Sequence, residues 1–247
     1  MEDKNCSYIL IVRHGERMDC NTSKLIDNNR FKFSLDPELT STGLEAAYIT
    51  GEHIKKEFIE KIKFDNVQVI SSPFMRTLQT AGKIASAINL DNIAVSYGIC
   101  EKLSFDYCEG SLPFERMYAC KPENINVLEK NLGCRVNFEE EYKRELFVFP
   151  EKYDDCYSRF DLYYEKVIRD EKKSPMKNLI ILVTHGIAID ICRKKFNKTE
   201  EIVIDYVCIS ALEVNKLNES VSLVYNAYNK HVERKKDFKL ANNLYVI

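Results

Sequence analysis

No apolar run in this 247-residue sequence approaches the roughly 20 residues a helix needs to cross a bilayer. A surplus of one charge is missing too: 36 Lys and Arg stand against 38 Asp and Glu, a net charge of −2. That balance argues neither for a nucleic-acid binder nor for a membrane-surface protein, and neither partner is expected; any affinity for anions must be local. CxxC pairs are absent, and the nine cysteines lack partner histidines at zinc spacing, so they do not read as zinc ligands. The acidic start, MEDKNCSYILIVRHG, has no signal-peptide anatomy. The expectation is a cytoplasmic protein with reduced, buried or half-buried thiols. Linkers, internal repeats and low-complexity tracts are missing as well, so residues 1–247 read as a single domain.

What is present begins with three short, branched runs that are apolar on both alternating faces: YILIVR (Tyr8 to Arg13), NVQVISS (Asn66 to Ser72) and LIILVTH (Leu179 to His185). Such runs fit parallel strands covered on both sides. NIAVSYG (Asn92 to Gly98) is a weaker fourth, and VSLVYNAYN near the C-terminus a fifth. Helical patterns lie between them. Thr42 to Glu45 has the form of a capping box, ahead of Leu44, Ala47, Tyr48, Gly51, Ile54 and Phe58 at helical spacing. Ser72 reads as the cap of a second helix with Pro73 at its first position and a buried stripe of Leu78, Ala81, Ile84, Ala85 and Ile88. A third helix spans about 155–169, burying Cys156, Phe160, Tyr163, Tyr164, Val167 and Ile168. This alternation predicts an α/β fold with helices on both faces of a mostly parallel sheet. Residues 102–150 break it, and read as an insertion over the carboxyl-end cleft.

Ligands of open α/β sheets sit beyond the carboxyl ends of the strands. There the first strand delivers Arg13, His14 and Gly15, with Arg17 one turn on. The second delivers Arg76 through SSPFMRTLQTA, and the third Thr184, His185 and Gly186. Arginine forks match phosphate oxygens bidentately. Helix N-termini add N–H donors, and Gly15 and Gly186 allow backbone to approach closely. A histidine held neutral among fixed cations can attack phosphorus, while the arginines and the second histidine stabilise the transferring group. Glu101, just after the fourth strand, is the candidate proton donor, with Asp106 and Glu109 as competitors. His53 and His231 read as solvated surface residues, and KHVERKK as a charged face.

RHGER, LTSTG, SSPFMRTLQTA and THG occur in the order of the histidine phosphatase (phosphoglycerate-mutase-like) superfamily, which the chain resembles over positions 8 to 190. RHGERMD, SLP at Ser111 to Pro113, and YDDCYSRFDLYYEKVI are most similar to the phosphatase domains of the suppressor-of-T-cell-receptor-signalling and ecdysteroid-phosphate group. The resemblance implies a three-layer phosphoglycerate-mutase-like fold and His14 as the phosphorylated nucleophile. It implies a phosphate pocket of Arg13, Arg17, Arg76 and His185, with Glu101 as proton donor, no cofactor and no metal. A homodimer is expected from related domains. The ubiquitin-binding and SH3 modules of those relatives are not expected here.

The expected activity is therefore metal-independent hydrolysis of a phosphomonoester: an aryl phosphate resembling phosphotyrosine, a steroid phosphate or a small metabolite. The alternative is a cofactor-dependent phosphoglycerate mutase. Mutases typically read RHGES, where Arg17 replaces the serine. Their paired arginines are not evident among Arg116, Arg135 and Arg144. A scaffold that only binds phosphate is the third reading, disfavoured because the whole set of site residues is retained.

Overall fold

Branched side chains that must be covered on both faces form the centre of the molecule. Cys6–Arg13 (β1) and Asn178–Thr184 (β5) are buried along almost their whole length. The computed structural model describes residues 5–20, 36–104, 117, 121–139 and 149–233. In chain order its elements are β1, α1 (Ser41–Ile54), β2 (Asn66–Ser71), α2 (Met75–Ala87), β3 (Asn92–Val95), α3 (Ile125–Leu132), β4 (Arg135–Phe138), α4 (Tyr153–Lys173), β5, α5 (Gly186–Lys195), β6 (Ile209–Asn215), β7 (Val221–Tyr228) and the single turn α6 (Lys230–Glu233). The seven strands lie in the order β4-β3-β2-β5-β1-β6-β7. The five from β4 to β1 are mutually parallel, and β6 and β7 complete the sheet antiparallel.

Alternation along each strand sorts its side chains into two cores. Ile9, Ile11, Ile180 and Leu182 pack with Phe160, Tyr164, Ile189 and Cys192 of α4 and α5. Leu10, Val12, Ile181 and Val183 pack with Ile54, Leu78, Ile84 and Leu128 on the opposite face. A fully buried side chain of this kind contributes about 1.5–3 kcal/mol relative to exposure. The expected stripe of α4, Cys156 through Ile168, is buried as read. The six cysteines whose side chains are described are all buried thiols.

The helix starts differ from expectation for long-range reasons. Thr40, not Thr42, caps α1, because its Oγ1 accepts from Gly43 N at 2.9 Å and donates to Glu16 Oε1 at 2.9 Å. Ser72 does not cap α2. Phe74 holds that position, and Asp36 Oδ1 accepts the Met75 N–H at 2.6 Å. Asp155 accepts the Lys152 N–H at 3.2 Å, starting α4 earlier than read, and Lys172 and Lys173 favour its dipole at the far end. Within the stretch 102–150, β4 extends the parallel edge of the sheet and α3 packs Leu128 into one of the two cores. Asp106, Glu109, Arg116, Arg144 and Ser111 to Pro113 lie outside the described residues.

His231 is buried and His53 half-buried, contrary to the expectation of solvated surface residues. Their rings stack at 4.8 Å, Tyr228 lies 5.3 Å from His53, and His231 Nε2 donates to Thr50 Oγ1 at 3.0 Å. The residues are far apart in sequence but meet where α6 packs on α1. Among the described residues, no helix is long and apolar enough to cross a membrane.

Candidate active site

Register brings the two histidines together. Arg13 pairs with Thr184 at the ends of β1 and β5, and His14 N then donates to Thr184 O at 2.9 Å. The next residues, His14 and His185, therefore leave adjacent strand ends, with ring centroids 5.5 Å apart. Ser71 pairs with Val183 on the other side of β5, so Ser72 and α2 begin at the same level. The helix after β2 joins one core and the helix after β5 the other. Chain diverging to opposite faces from neighbouring strands opens the crevice in which ligands of such sheets sit.

The loop carrying His14 lies against the start of α1. A Cβ on Gly15 would come within 2.7 Å of Gly43 O, so the close approach expected there is real. Gly186 differs: a Cβ there would meet Arg13 Nε at an ordinary 3.5 Å. The Gly15 N–H is given to Thr80 Oγ1 at 3.0 Å and the Met75 N–H to Asp36. Neither of these two amides is left for an anion.

His14 is buried, and Gly15 O lies 2.8 Å from its Nδ1. A carbonyl can only accept, so Nδ1 carries the proton and Nε2 keeps its lone pair. Burial first, then the charges of Arg76 and Arg13, hold its pKa well below the ordinary histidine value, against the opposing bond to Gly15. His185 is fully buried and also held low, by burial and then by Arg76 and His14. Its Nε2 meets Ser72 Oγ at 2.8 Å, and Arg76 Nη2 donates to its Nδ1 at 3.2 Å. Phe74 packs edge-on against the ring at 5.1 Å.

Arg76 is buried, and its Nε has no hydrogen-bond partner among the described residues. A guanidinium N–H left so in a cleft is a donor without its acceptor. Arg13 is equally buried, with its guanidinium 4.3 Å over the Tyr206 ring and Nη1 donating to Ile204 O. Glu101 Oε2 lies 3.4 Å from His185 Nδ1 and 3.7 Å from Arg76 Nη2, its side chain 18% exposed. Arg17 stands further out. It forks onto Asp19, yet its charge bears on both histidines and on Arg76. Arg13, His14, Arg76, Glu101 and His185 are thus brought together, with Arg17 at longer range. Among the described residues, no group of three or more His, Cys, Asp or Glu could hold a metal ion.

Ser72, Phe74, Arg159 and Tyr206 support the site and were not read from the sequence as doing so. Arg159 left a signal: three residues after Cys156, it falls on the apolar stripe of its helix, where an arginine needs a reason.

A mixed sheet with two facing neutral histidines and buried arginines at its carboxyl end defines an α/β protein built around a basic cleft. The chain belongs to the histidine phosphatase superfamily (branch 1), whose family model matches residues 9–227. It is similar to mouse ubiquitin-associated and SH3 domain-containing protein A, 24% identical over 214 residues, covering 75% of this chain and 32% of that protein. The chain thus spans about a third of that relative's length. Among solved structures, an ecdysone phosphate phosphatase from Bombix mori in complex with tungstate matches with a TM-score of 0.61 and 17% identity, over 87% of this chain and 92% of that one. A phosphoglycerate mutase from Bacillus anthracis matches at 0.58 and 14% identity, over 95% and 99%. At these identities the structural matches establish the phosphoglycerate-mutase-like fold.

Histidines kept neutral inside the fold have a consequence for stability. Burial, then the neighbouring His53, pushes the His231 pKa down to about 3, and His14 and His185 are held low as well. Unfolding restores all three to an ordinary value near 6.5. The stability they confer is therefore complete above about pH 6.5 and is lost as pH falls toward the folded values, at up to about 1.4 kcal/mol per pH unit for each group. Urea midpoints taken from about pH 7.5 down to 5.5 should hold nearly level to about pH 6.5 and fall below it. A series that stays level or rises below about pH 6.5 would contradict the buried neutral state.

Proposed function

We propose that the protein hydrolyses phosphomonoesters without a metal ion, through a phosphohistidine on His14. The observation that carries this reading is the state of His14, whose protonated Nδ1 lies 2.8 Å from Gly15 O beside buried guanidinium groups. Its Nε2 lone pair attacks phosphorus, the ester P–O bond breaks, and the electron pair leaves with the ester oxygen. Glu101, as the carboxylic acid, gives that oxygen its proton. The ring becomes cationic on phosphorylation, and the Gly15 carbonyl stabilises the proton on Nδ1. Arg13 and Arg76 hold the equatorial oxygens, assisted by Arg17 and His185, whose orientation Ser72 maintains. Glu101 then takes a proton from water, which attacks phosphorus and frees His14 and inorganic phosphate. The orphaned Nε of Arg76 fits such an oxyanion. The tungstate bound in the Bombix mori relative supports the same reading.

The substrate is a phosphorylated small molecule or an aryl phosphate resembling phosphotyrosine, met in the cytoplasm. Relatives of this fold named for ecdysone phosphate and phosphoserine support that class. A chelator-treated sample should hydrolyse p-nitrophenyl phosphate and leave 3-phosphoglycerate with 2,3-bisphosphoglycerate unisomerised. Rapid isomerisation with negligible hydrolysis would replace this reading with the mutase, and silence in both assays with phosphate still bound would leave a scaffold.

A further inference from the structure

Glu101 lies beyond β3, on a segment that runs past the end of the sheet ladder. Four consecutive carbonyls along it, from Gly98 to Glu101, are each met by a side chain from elsewhere in the chain. Thr184 Oγ1 donates to Ile99 O at 2.8 Å. Arg159, from α4, accounts for the other three: Nη1 donates to Gly98 O at 2.9 Å and Cys100 O at 3.1 Å, and Nη2 to Glu101 O at 3.4 Å. The guanidinium is itself aimed by Glu151, whose oxygens accept from Nε at 2.7 Å and Nη2 at 2.8 Å. Glu151 also holds the far side of the same loop, accepting from Leu103 N at 3.2 Å and donating its own N–H to Leu103 O at 2.7 Å.

We infer that Arg159, aimed by Glu151, is a positioning residue that sets the reach of the Glu101 carboxyl into the cleft. The inference rests on the proposed role of Glu101 as proton donor and adds the device that places it. A planar fork can bind several carbonyls and a carboxylate at once, and lysine cannot reproduce that geometry. Arg159 makes none of the hydrogen bonds described to the histidines or Arg76; its charge helps to hold His185 low, an effect R159K keeps, while its fork acts on Glu101 through the loop. General-acid placement is demanding, because the donor must lie within hydrogen-bond reach of the leaving oxygen.

The test exploits the leaving group. p-Nitrophenolate departs readily without a proton, whereas an alkoxide does not. The R159M variant should lower kcat for an alkyl phosphate such as β-glycerophosphate by about 100-fold, the scale of general-acid catalysis. Its kcat for p-nitrophenyl phosphate should change by less than about threefold, and R159K should recover only part of the loss. Because Glu151 would remain as a buried unpaired carboxylate, R159M/E151Q is measured alongside. The glutamine keeps an acceptor for Leu103 N while removing the orphan charge. Inorganic phosphate should bind both variants as it binds the wild type, since the arginine pocket is untouched. Equal losses on both substrates, or lost phosphate binding in a folded variant, would overturn the inference and mark Arg159 as structural only. The E101Q variant separates the two claims. If E101Q shows the leaving-group pattern and the Arg159 variants do not, this inference fails while the mechanism stands. If E101Q shows no such pattern, the assigned role of Glu101 fails first.

Discussion

Replacing His14 by alanine is expected to lower hydrolysis of p-nitrophenyl phosphate by on the order of 10⁴-fold or more, to the background of the assay. Removal of the nucleophile leaves no atom to take the phosphoryl group. The arginines can still bind the ester, so KM should change far less than kcat. The fold should survive the change. His14 is a buried imidazole whose described ring hydrogen bond goes to the adjacent Gly15 carbonyl, and it sits among guanidinium charges. Its loss removes a desolvated polar ring from a cluster assembled for chemistry, so the melting temperature should stay level or rise. Activity, thermal melting and acid-labile phosphate on the quenched wild-type enzyme together check the claim. Residual turnover above about one per cent of wild type would mean that another group carries the phosphoryl transfer.

The strands that hold His14 were readable because their neighbours cover both faces. Ile9, Ile11 and Leu182 lie in one core and Leu10, Val12 and Val183 in the other, so no polar residue interrupts the run. β6 was not legible for the converse reason. Glu213 interrupts its apolar pattern, and its explanation lies across the ladder, where the Tyr8 hydroxyl donates to Glu213 Oε2 at 2.5 Å. β4 is only four residues long, with Arg135 and Asn137 exposed and Val136 inward. At that length the pattern is indistinguishable from a loop. The helix caps failed on similar grounds. LTST offers three hydroxyls, and the choice of Thr40 depends on Glu16, 24 positions earlier.

The site divides along the same line. Arg13, His14, Arg76 and His185 sit at element ends, where local pattern fixes both the residue and its level in the sheet. Their convergence then follows from strand order and register, which place β5 between β1 and β2. Glu101 lies on irregular chain, and its place depends on Arg159 and Thr184 from distant elements. Tyr206 is harder still. It stacks on Arg13 from a segment where Val207 takes a φ of 53°, a left-handed conformation that a β-branched residue adopts only under constraint. Neither its neighbours nor its spacing announce that role. Local physics thus reveals the groups that belong to strands and helices. Groups held by tertiary hydrogen bonds become visible only once the chain is folded.

Substitution of Arg76 is expected to have the other large effect, and to separate shape from charge. Arg76 is buried, its basicity lowered by burial and sustained mainly by Glu101, with Nε left without an acceptor among the described residues. It is therefore a cation kept from water at a cost, which a phosphate dianion would offset. Alanine should reduce kcat/KM by about 10³–10⁴-fold, the scale of losing a preorganised donor at a developing charge. Lysine, which restores the charge but not the planar fork, should still lie about 10²-fold below wild type. Thermal stability supplies a second readout free of turnover. Phosphate at about 100 times its Kd should stabilise the wild type by about 2.7 kcal/mol, and that gain should largely vanish in R76A. Without phosphate the variant's melting temperature should change far less than this, because the cost of burying the cation is set against its contacts with His185 and Glu101. An R76K enzyme within about threefold of wild-type kcat/KM, with its phosphate-induced stabilisation intact, would remove Arg76 from the pocket and leave its buried charge without a purpose.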